Sequence, residues 1–270
     1  MSINKTSQAN PFVSVVLPVY NCEKFVGIAI ESILNQTYSN FELIILNDGS
    51  TDKSLQVINL YNDERIKLID KKNSGLAATL NDGIAVATGK YIARMDHDDI
   101  AHPQRLEKQV IYMENHPEID LTDTLVIQID EEGNEIQKVH KKMYTSWNEY
   151  KHTYVRGMNA FHPTLMVKAA VMKEFKYTSK YYEDYYLLLQ LINAGKSFYK
   201  IPEFLLQYRI LSTSMVNTDV NSSVFIKKVI KTKQEYLKGL GAKEYFKLFN
   251  IKFLFFLQMN KLKSVLKNAG

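Results

Sequence analysis

The sequence predicts an α/β fold, a mostly parallel sheet flanked by helices, with a C-terminal helical extension. Three observations carry this reading. Short aliphatic runs alternate with segments of helical spacing about 10–15 residues long, the pattern of right-handed βαβ units. The runs are apolar at nearly every position, as strands buried on both faces are. Polar clusters follow four of these strands, and α/β sheets bind ligands beyond the carboxyl ends of their strands.

The elements follow in order. Residues 1–10 are polar and read as a disordered leader without the basic start and apolar run of a signal peptide. Residues 13–19 form a β-branched strand ending at Tyr20-Asn21. Residues 23–36 have helical spacing, with Phe25, Ile28, Ala29, Ser32 and Ile33 on one face. A second strand, residues 41–46, runs into Asn47-Asp-Gly-Ser-Thr-Asp52, where Asp52 is placed to cap a helix carrying Leu55, Ile58 and Leu60. Residues 66–69 are a third strand, followed by Lys71-Lys72-Asn73. A small-residue helix over 75–87 ends at Gly89 in the manner of a C-terminal glycine.

The next strand, residues 91–95, runs straight into Asp96, Asp98 and Asp99, with a helix beginning near Pro103 and ending near Asn115. Carboxylates packed this closely repel one another, so a positive group is expected among them. A divalent cation holding a diphosphate answers that need, since hard cations take oxygen ligands; a solvated acidic turn is the plainer reading. Neither a G-x-G-x-x-G nor a P-loop fingerprint occurs.

Beyond the first half, residues 121–129 and 135–139 read as a hairpin turning at Gly133-Asn134. Residues 144–157 fit either helix or loop. A strand is expected over 162–167, a helix over 182–194 stopped by Gly195, and strands over 197–201 and 204–210. These elements define one domain over 11–215, with a regular βα half (11–119) and a less regular half (120–215). Residues 222–270 differ in kind: lysine-rich, with Glu235 and Glu244 their only acids, and interleaved with aromatics. A helical hairpin packing on the domain and a basic amphipathic pair meeting anionic lipid are both consistent with this pattern.

Composition bounds the class. A chain of 270 residues with 46% hydrophobic and 23% charged content is ordinary for a globular protein. The net charge of +5 permits an anionic partner, but no nucleic-acid recognition motif accompanies it, and none is expected as partner. Cys22 is the only cysteine, which excludes an intrachain disulfide and fits a reducing compartment, with a small packing residue as its plain role. No apolar run reaches the length of a membrane span. The expectation is a cytoplasmic protein, either soluble or resting on a membrane surface.

In their order and spacing, Pro18-Val-Tyr-Asn21, Asn47-Asp-Gly-Ser-Thr-Asp52, Asn73-Ser-Gly75 with Leu80-Asn81, Gly89-Lys-Tyr-Ile92, Asp96-His-Asp-Asp99 and Glu183-Asp184 resemble family-2 glycosyltransferases. The resemblance spans residues 12 to about 210 and implies a Rossmann-like GT-A fold. It further implies inverting, metal-dependent transfer from a UDP-sugar (UDP-GlcNAc, UDP-Gal or UDP-Glc) with Mn²⁺ or Mg²⁺. Residues 157–209 look most like bacterial lipooligosaccharide and capsule transferases, including β-1,3-N-acetylglucosaminyltransferases. The acceptor so implied is a lipid-linked or lipid A-linked surface glycan.

The resemblance also assigns roles. Pro18 and Tyr20 would shape the base pocket and Asp48 would accept from the uracil N–H. Lys72 would reach the base or diphosphate, Asp96 the ribose and Asp98 the metal, with Asp99 orienting the turn and His97 pointing away. His162 lies in the segment nearing donor and acceptor. Leu211 stands where the family often has His; if that His serves a diphosphate or metal contact, Arg209 is one candidate to replace it, and Asn47 replaces a frequent Asp. Asp184 is the expected general base, since inversion needs a carboxylate opposite the leaving group, and a helix start favours its ionised form. The competing readings are a sugar nucleotidyltransferase, which lacks its basic glycine-rich loop here, and a noncatalytic nucleotide-sugar-binding protein.

Overall fold

A computed structural model describes residues 11–141, 149, 159–178 and 183–211. The leader 1–10, the segment 144–157 apart from residue 149, and the region 222–270 lie outside the described residues.

Strands β1 (Val13–Val19), β2 (Phe41–Asp48), β3 (Ile66–Lys71) and β4 (Tyr91–Arg94) run parallel in the order β3-β2-β1-β4. The sheet continues through β8 (Met166–Lys168), β6 (Leu121–Ile129), β9 (Phe198–Arg209) and β5 (Ile100–Ala101), with β7 (Glu135–Val139) paired to β6. Parallel pairing accounts for most of the ladder, but β8 is antiparallel to both β4 and β6 and so joins the parallel first half to a mixed second half, where β6 and β9 are parallel and β5 and β7 antiparallel to their neighbours.

Side-chain alternation explains why the first strands are apolar throughout. Val13, Val15, Leu17 and Val19 face one core with Leu43, Ile45 and Ala93; Val16, Ile44, Leu46 and Ile92 face the other. Helices α1 (Val26–Leu34) and α4 (Arg105–Asn115) cover the first face. Helices α3 (Leu76–Val86), α5 (Ala169–Glu174) and α6 (Glu183–Asn193) cover the second. Each fully buried Ile or Leu contributes about 1.5–3 kcal/mol relative to exposure.

Several expectations are corrected. On α1 the buried stripe is Val26, Ala29, Ile30 and Ile33, and Ile28 is turned outward. Helix α2 (Ser54–Ile58) stops short of Leu60, which is exposed, although Asp52 does accept the N–H groups of Ser54 (2.9 Å) and Glu23 (3.0 Å). Gly89 has no left-handed φ. It is required by crowding, since a Cβ there would sit 2.6 Å from Ser14 N and 2.8 Å from Phe12 O, both backbone atoms. The strand expected over 162–167 is a 3₁₀ turn, His162–Thr164, followed by β8, because Pro163 favours the turn start. The two strands expected at 197–210 are one strand, β9. Its register slips between Ile201 and Phe204, where Pro202 has no N–H for the ladder.

Candidate active site at the carboxyl edge of the parallel strands

The loops after β1 and β2 are tied to each other. Asn21 adopts a φ of 47°, which asparagine tolerates, and its Oδ1 accepts the Thr51 N–H at 2.8 Å. The Asn21 N–H donates to Ser50 Oγ at 3.0 Å. Pro18 is buried at the end of β1, while Tyr20 is 47% exposed beyond it, free to meet a flat ring. Asn47 donates to Asp70 Oδ1 at 2.7 Å, a contact an aspartate there could not make.

Asp48, at the end of β2, is buried and accepts the N–H groups of Ser74 on Oδ1 and Gly75 on Oδ2, both at 2.9 Å. It thereby fixes the Ser74-Gly75 segment that leads into α3. Lys71, which sequence reasoning passed over, lies 3.9 Å from that carboxylate and donates to Ser74 Oγ at 2.7 Å. Lys72 is exposed beside it.

Ligand atoms of Asp96, Asp98 and Asp99 lie within 4.8 Å of one another. Asp99 is buried; its Oδ1 accepts the Arg209 N–H at 2.9 Å, and its Oδ2 is buried with no hydrogen-bond partner. Burial and then Asp96 raise the pKa of Asp98; burial, Asp96 and Asp98 raise that of Asp99 well above the ordinary range. Repulsion among all-oxygen donors and an orphaned carboxylate oxygen fit a hard divalent cation. His97 faces away, its Nδ1 3.1 Å from Pro18 O.

Arg209 holds this loop from behind. Nε donates to Asp98 O (2.9 Å), and Nη1 to Asp130 O (3.0 Å) and Glu131 O (2.8 Å), with the guanidinium 4.5 Å above the Phe25 ring. Nε and Nη1 of Arg209 thus serve backbone carbonyls of the Asp98 and Asp130–Glu131 segments. Leu211 packs against the core.

The main residue missed by sequence reasoning is Arg94. It is buried at the end of β4, ion-paired to Asp96, and its Nε is buried without a partner. A charged residue inside the apolar run 91–95 was the available signal. Arg94 also acts electrostatically on Asp98, Asp99, Glu183, Asp184 and His162. Arg105, wholly buried, donates to the Arg94 carbonyl and to Gln109 Oε1 (3.2 Å), and burial lowers its pKa to about 9.

Asp184 opens α6, and Arg94 and Asp96 both act on its pKa, so its carboxyl lies within electrostatic reach of the cluster. Its Oδ1 accepts the Tyr185 N–H at 2.6 Å. Here the expectation of a helix start favouring ionisation is corrected: burial outweighs that amide and Arg94, and the pKa is raised. Neighbouring Glu183 is pushed up to about 7, by burial first and then by Asp184. His162 is buried, its pKa driven well down by burial and then by Arg94; the neutral ring meets the Tyr177 hydroxyl at 2.8 Å.

Comparison with known proteins adds to this geometry. The sequence pattern described as "Glycosyl transferase family 2" matches residues 14–176. A glycosyltransferase of Methanocaldococcus jannaschii is 41% identical over 207 residues, 74% of this chain and 71% of its own. The amylovoran biosynthesis glycosyltransferase AmsE of Erwinia amylovora is 34% identical over 212 residues, covering 76% and 78% of the two chains. The crystal structure of S. aureus TarS 1-349 in complex with UDP-GlcNAc superposes with a TM-score of 0.72 at 18% identity, over 90% of this chain and 71% of that one. That likeness bears out the Rossmann-like GT-A fold.

Proposed function

Because the chain belongs to glycosyl transferase family 2, we propose that it transfers a hexose or N-acetylhexosamine, with inversion, from a UDP-sugar to a hydroxyl of a bacterial surface glycan. The observation that carries this reading is the Asp96–Asp98–Asp99 cluster, closed to 4.8 Å at the end of a parallel strand and within electrostatic reach of Asp184. The UDP-GlcNAc complex of the structural neighbour and the amylovoran biosynthesis named for a relative support the donor and product classes.

In this reading Tyr20 stacks near the uracil above Pro18, and Asp48 accepts the base N–H. Asp96, oriented by Arg94, takes ribose hydroxyls. Asp98, with Asp99 and its unpaired Oδ2, would hold Mn²⁺ or Mg²⁺, which would supply charge neutralisation at the diphosphate. Lys72 adds a point charge near the same end, and Arg209 keeps the Asp98–Asp99 loop in register. His162, neutral and held by Tyr177, borders the acceptor side. Asp184 takes the proton from the acceptor hydroxyl, and its raised pKa makes it a stronger base than an ordinary carboxylate.

Among the described residues no helix is long and apolar enough to cross a membrane. A lipid-linked or lipid A-linked acceptor would bring the enzyme to the cytoplasmic membrane surface, with the lysine-rich region 222–270 as the contact. Equal liposome co-sedimentation with and without that region would remove this part of the proposal. The donor is tested by thermal shift with UDP-GlcNAc, UDP-Gal and UDP-Glc in Mn²⁺, where one donor should raise the unfolding midpoint above UDP alone. Binding without UDP release for every donor would favour a noncatalytic binding protein instead.

A further inference from the structure

A buried ion pair lies apart from the carboxylate cluster. Asp123 of β6 and Lys200 of β9 are register partners on adjacent parallel strands, with side chains 1% and 0% exposed. Lys200 Nζ donates to Asp123 Oδ2. The same oxygen accepts the Phe161 N–H at 3.1 Å, and Oδ1 is buried with no hydrogen-bond partner. Lys200 Nζ also lies 5.1 Å from the centre of the Phe161 ring, and Lys141 Nζ lies 5.4 Å from it.

Such a pair is poor value for stability. Desolvating two charges offsets much of their attraction, and an unpaired carboxylate oxygen adds to the cost; apolar residues of similar volume commonly do as well. What the pair does hold is the amide that leads into the 3₁₀ turn. The next residue, His162, meets the Tyr177 hydroxyl at 2.8 Å. Tyr177 is fixed to α3 by two backbone hydrogen bonds with the Asn81 side chain, at 2.8 and 3.0 Å. The His162–Tyr177 contact is therefore anchored by Asp123 at one end and by Asn81 at the other. The residue that ends the 3₁₀ turn is joined to the acidic site, since Leu165 O accepts the Arg94 N–H at 2.8 Å.

We propose that the Asp123–Lys200 pair is a positioning device for transfer: through the Phe161 N–H it sets the His162–Tyr177 contact against the Asp184 side of the site. Lys200 keeps Asp123 a charged acceptor, and Asp123 bonds the amide. This rests on the glycosyltransferase reading above.

The test compares the full-length wild type with Asp123→Leu/Lys200→Met, a double substitution of similar volume. UDP release from UDP-GlcNAc, UDP-Gal and UDP-Glc with Mn²⁺, the unfolding midpoint and the His162 imidazole NMR signal are measured. The expected result is a midpoint no lower than wild type and a displaced His162 signal. Alongside these, kcat should fall about tenfold or more while donor KM changes less than about twofold. Asp123→Asn/Lys200→Met keeps an acceptor for the Phe161 N–H and should keep the His162 signal and most of kcat; it carries the test if the first variant fails to fold. Wild-type kcat with an unmoved His162 signal in folded Asp123→Leu/Lys200→Met overturns the proposal. An equally large loss of kcat in folded Asp123→Asn/Lys200→Met does the same. A wild type releasing no UDP from any of the three donors overturns the donor reading, and the His162 signal then judges the positioning link alone.

Discussion

Arg94 and Asp96 are joined at two points: Nη1 donates to Oδ2, and Nη2 pairs with Oδ1, of a carboxylate two residues along the chain. The pair stands where β4 ends and the acidic cluster begins, so the orientation of Asp96 depends on a planar fork rather than on a point charge. Arg94→Lys keeps the charge and loses the fork. We expect it to fold and to lower the rate of UDP release about tenfold. Steady-state kinetics at the wild-type rate would show that the two-point pairing is dispensable.

Asp184→Asn tests the base. The amide keeps the size of the side chain but takes no proton, so donor binding is expected to persist while transfer falls by about 10²–10⁴. Calorimetric titration with UDP and Mn²⁺, run beside a transfer assay, separates the two. Loss of UDP binding together with transfer would assign Asp184 to the donor side instead.

Glu183 gives a pH signature. Its pKa is raised in the folded chain from an ordinary value of 4.5 to about 7. The folded state therefore binds this proton more tightly than the unfolded state, and stability contributed by the group is lost as pH rises from about 4.5 to about 7. Glu183→Gln should flatten that decline and be the more stable protein above pH 7, relative to its difference from wild type at pH 4.5. Denaturant melts across this range check it; parallel pH profiles for the two proteins would refute it.

Gly89→Ala should destabilise the sheet where β1 pairs with β4. Its Cβ would stand 2.6, 2.8 and 2.9 Å from Ser14 N, Phe12 O and Tyr91 O. All three are backbone atoms, so relief requires parting β1 from β4. A cost of about 1–3 kcal/mol is expected by equilibrium unfolding, against little change for Gly195→Ala in space alone, whose penalty is its φ of +73°.

Much of the fold was legible because the first half obeys simple periodicities. Strands β1 and β2 are largely apolar on both faces, and the hairpin strands β6 and β7 fall on the residues that flank the Gly133-Asn134 turn. What failed was tertiary. The role of Gly89 is set by the strand beside it, and the break at Pro202 is absorbed by a bulge because β6 runs alongside. The acidic cluster was legible as a motif, since local order brings its members together. Arg94 was hidden because hydropathy treats one charge in an apolar run as noise; the groups it acts on lie in the loop after β4, on α6 and in the 3₁₀ turn, and only folding brings the last two to it. The raised pKa of Asp184 was likewise unreadable, since burial depends on the packing around α6.

The central claim is that Asp98 serves a divalent cation in the release of UDP. The most direct measurement is the Mn²⁺-dependent rate of UDP release from a UDP-sugar, in the wild type and in Asp98→Asn. The account predicts a rate that disappears with chelator in the wild type and is at least about 100-fold lower in Asp98→Asn. Metal-dependent UDP release at the wild-type rate in folded Asp98→Asn would contradict it.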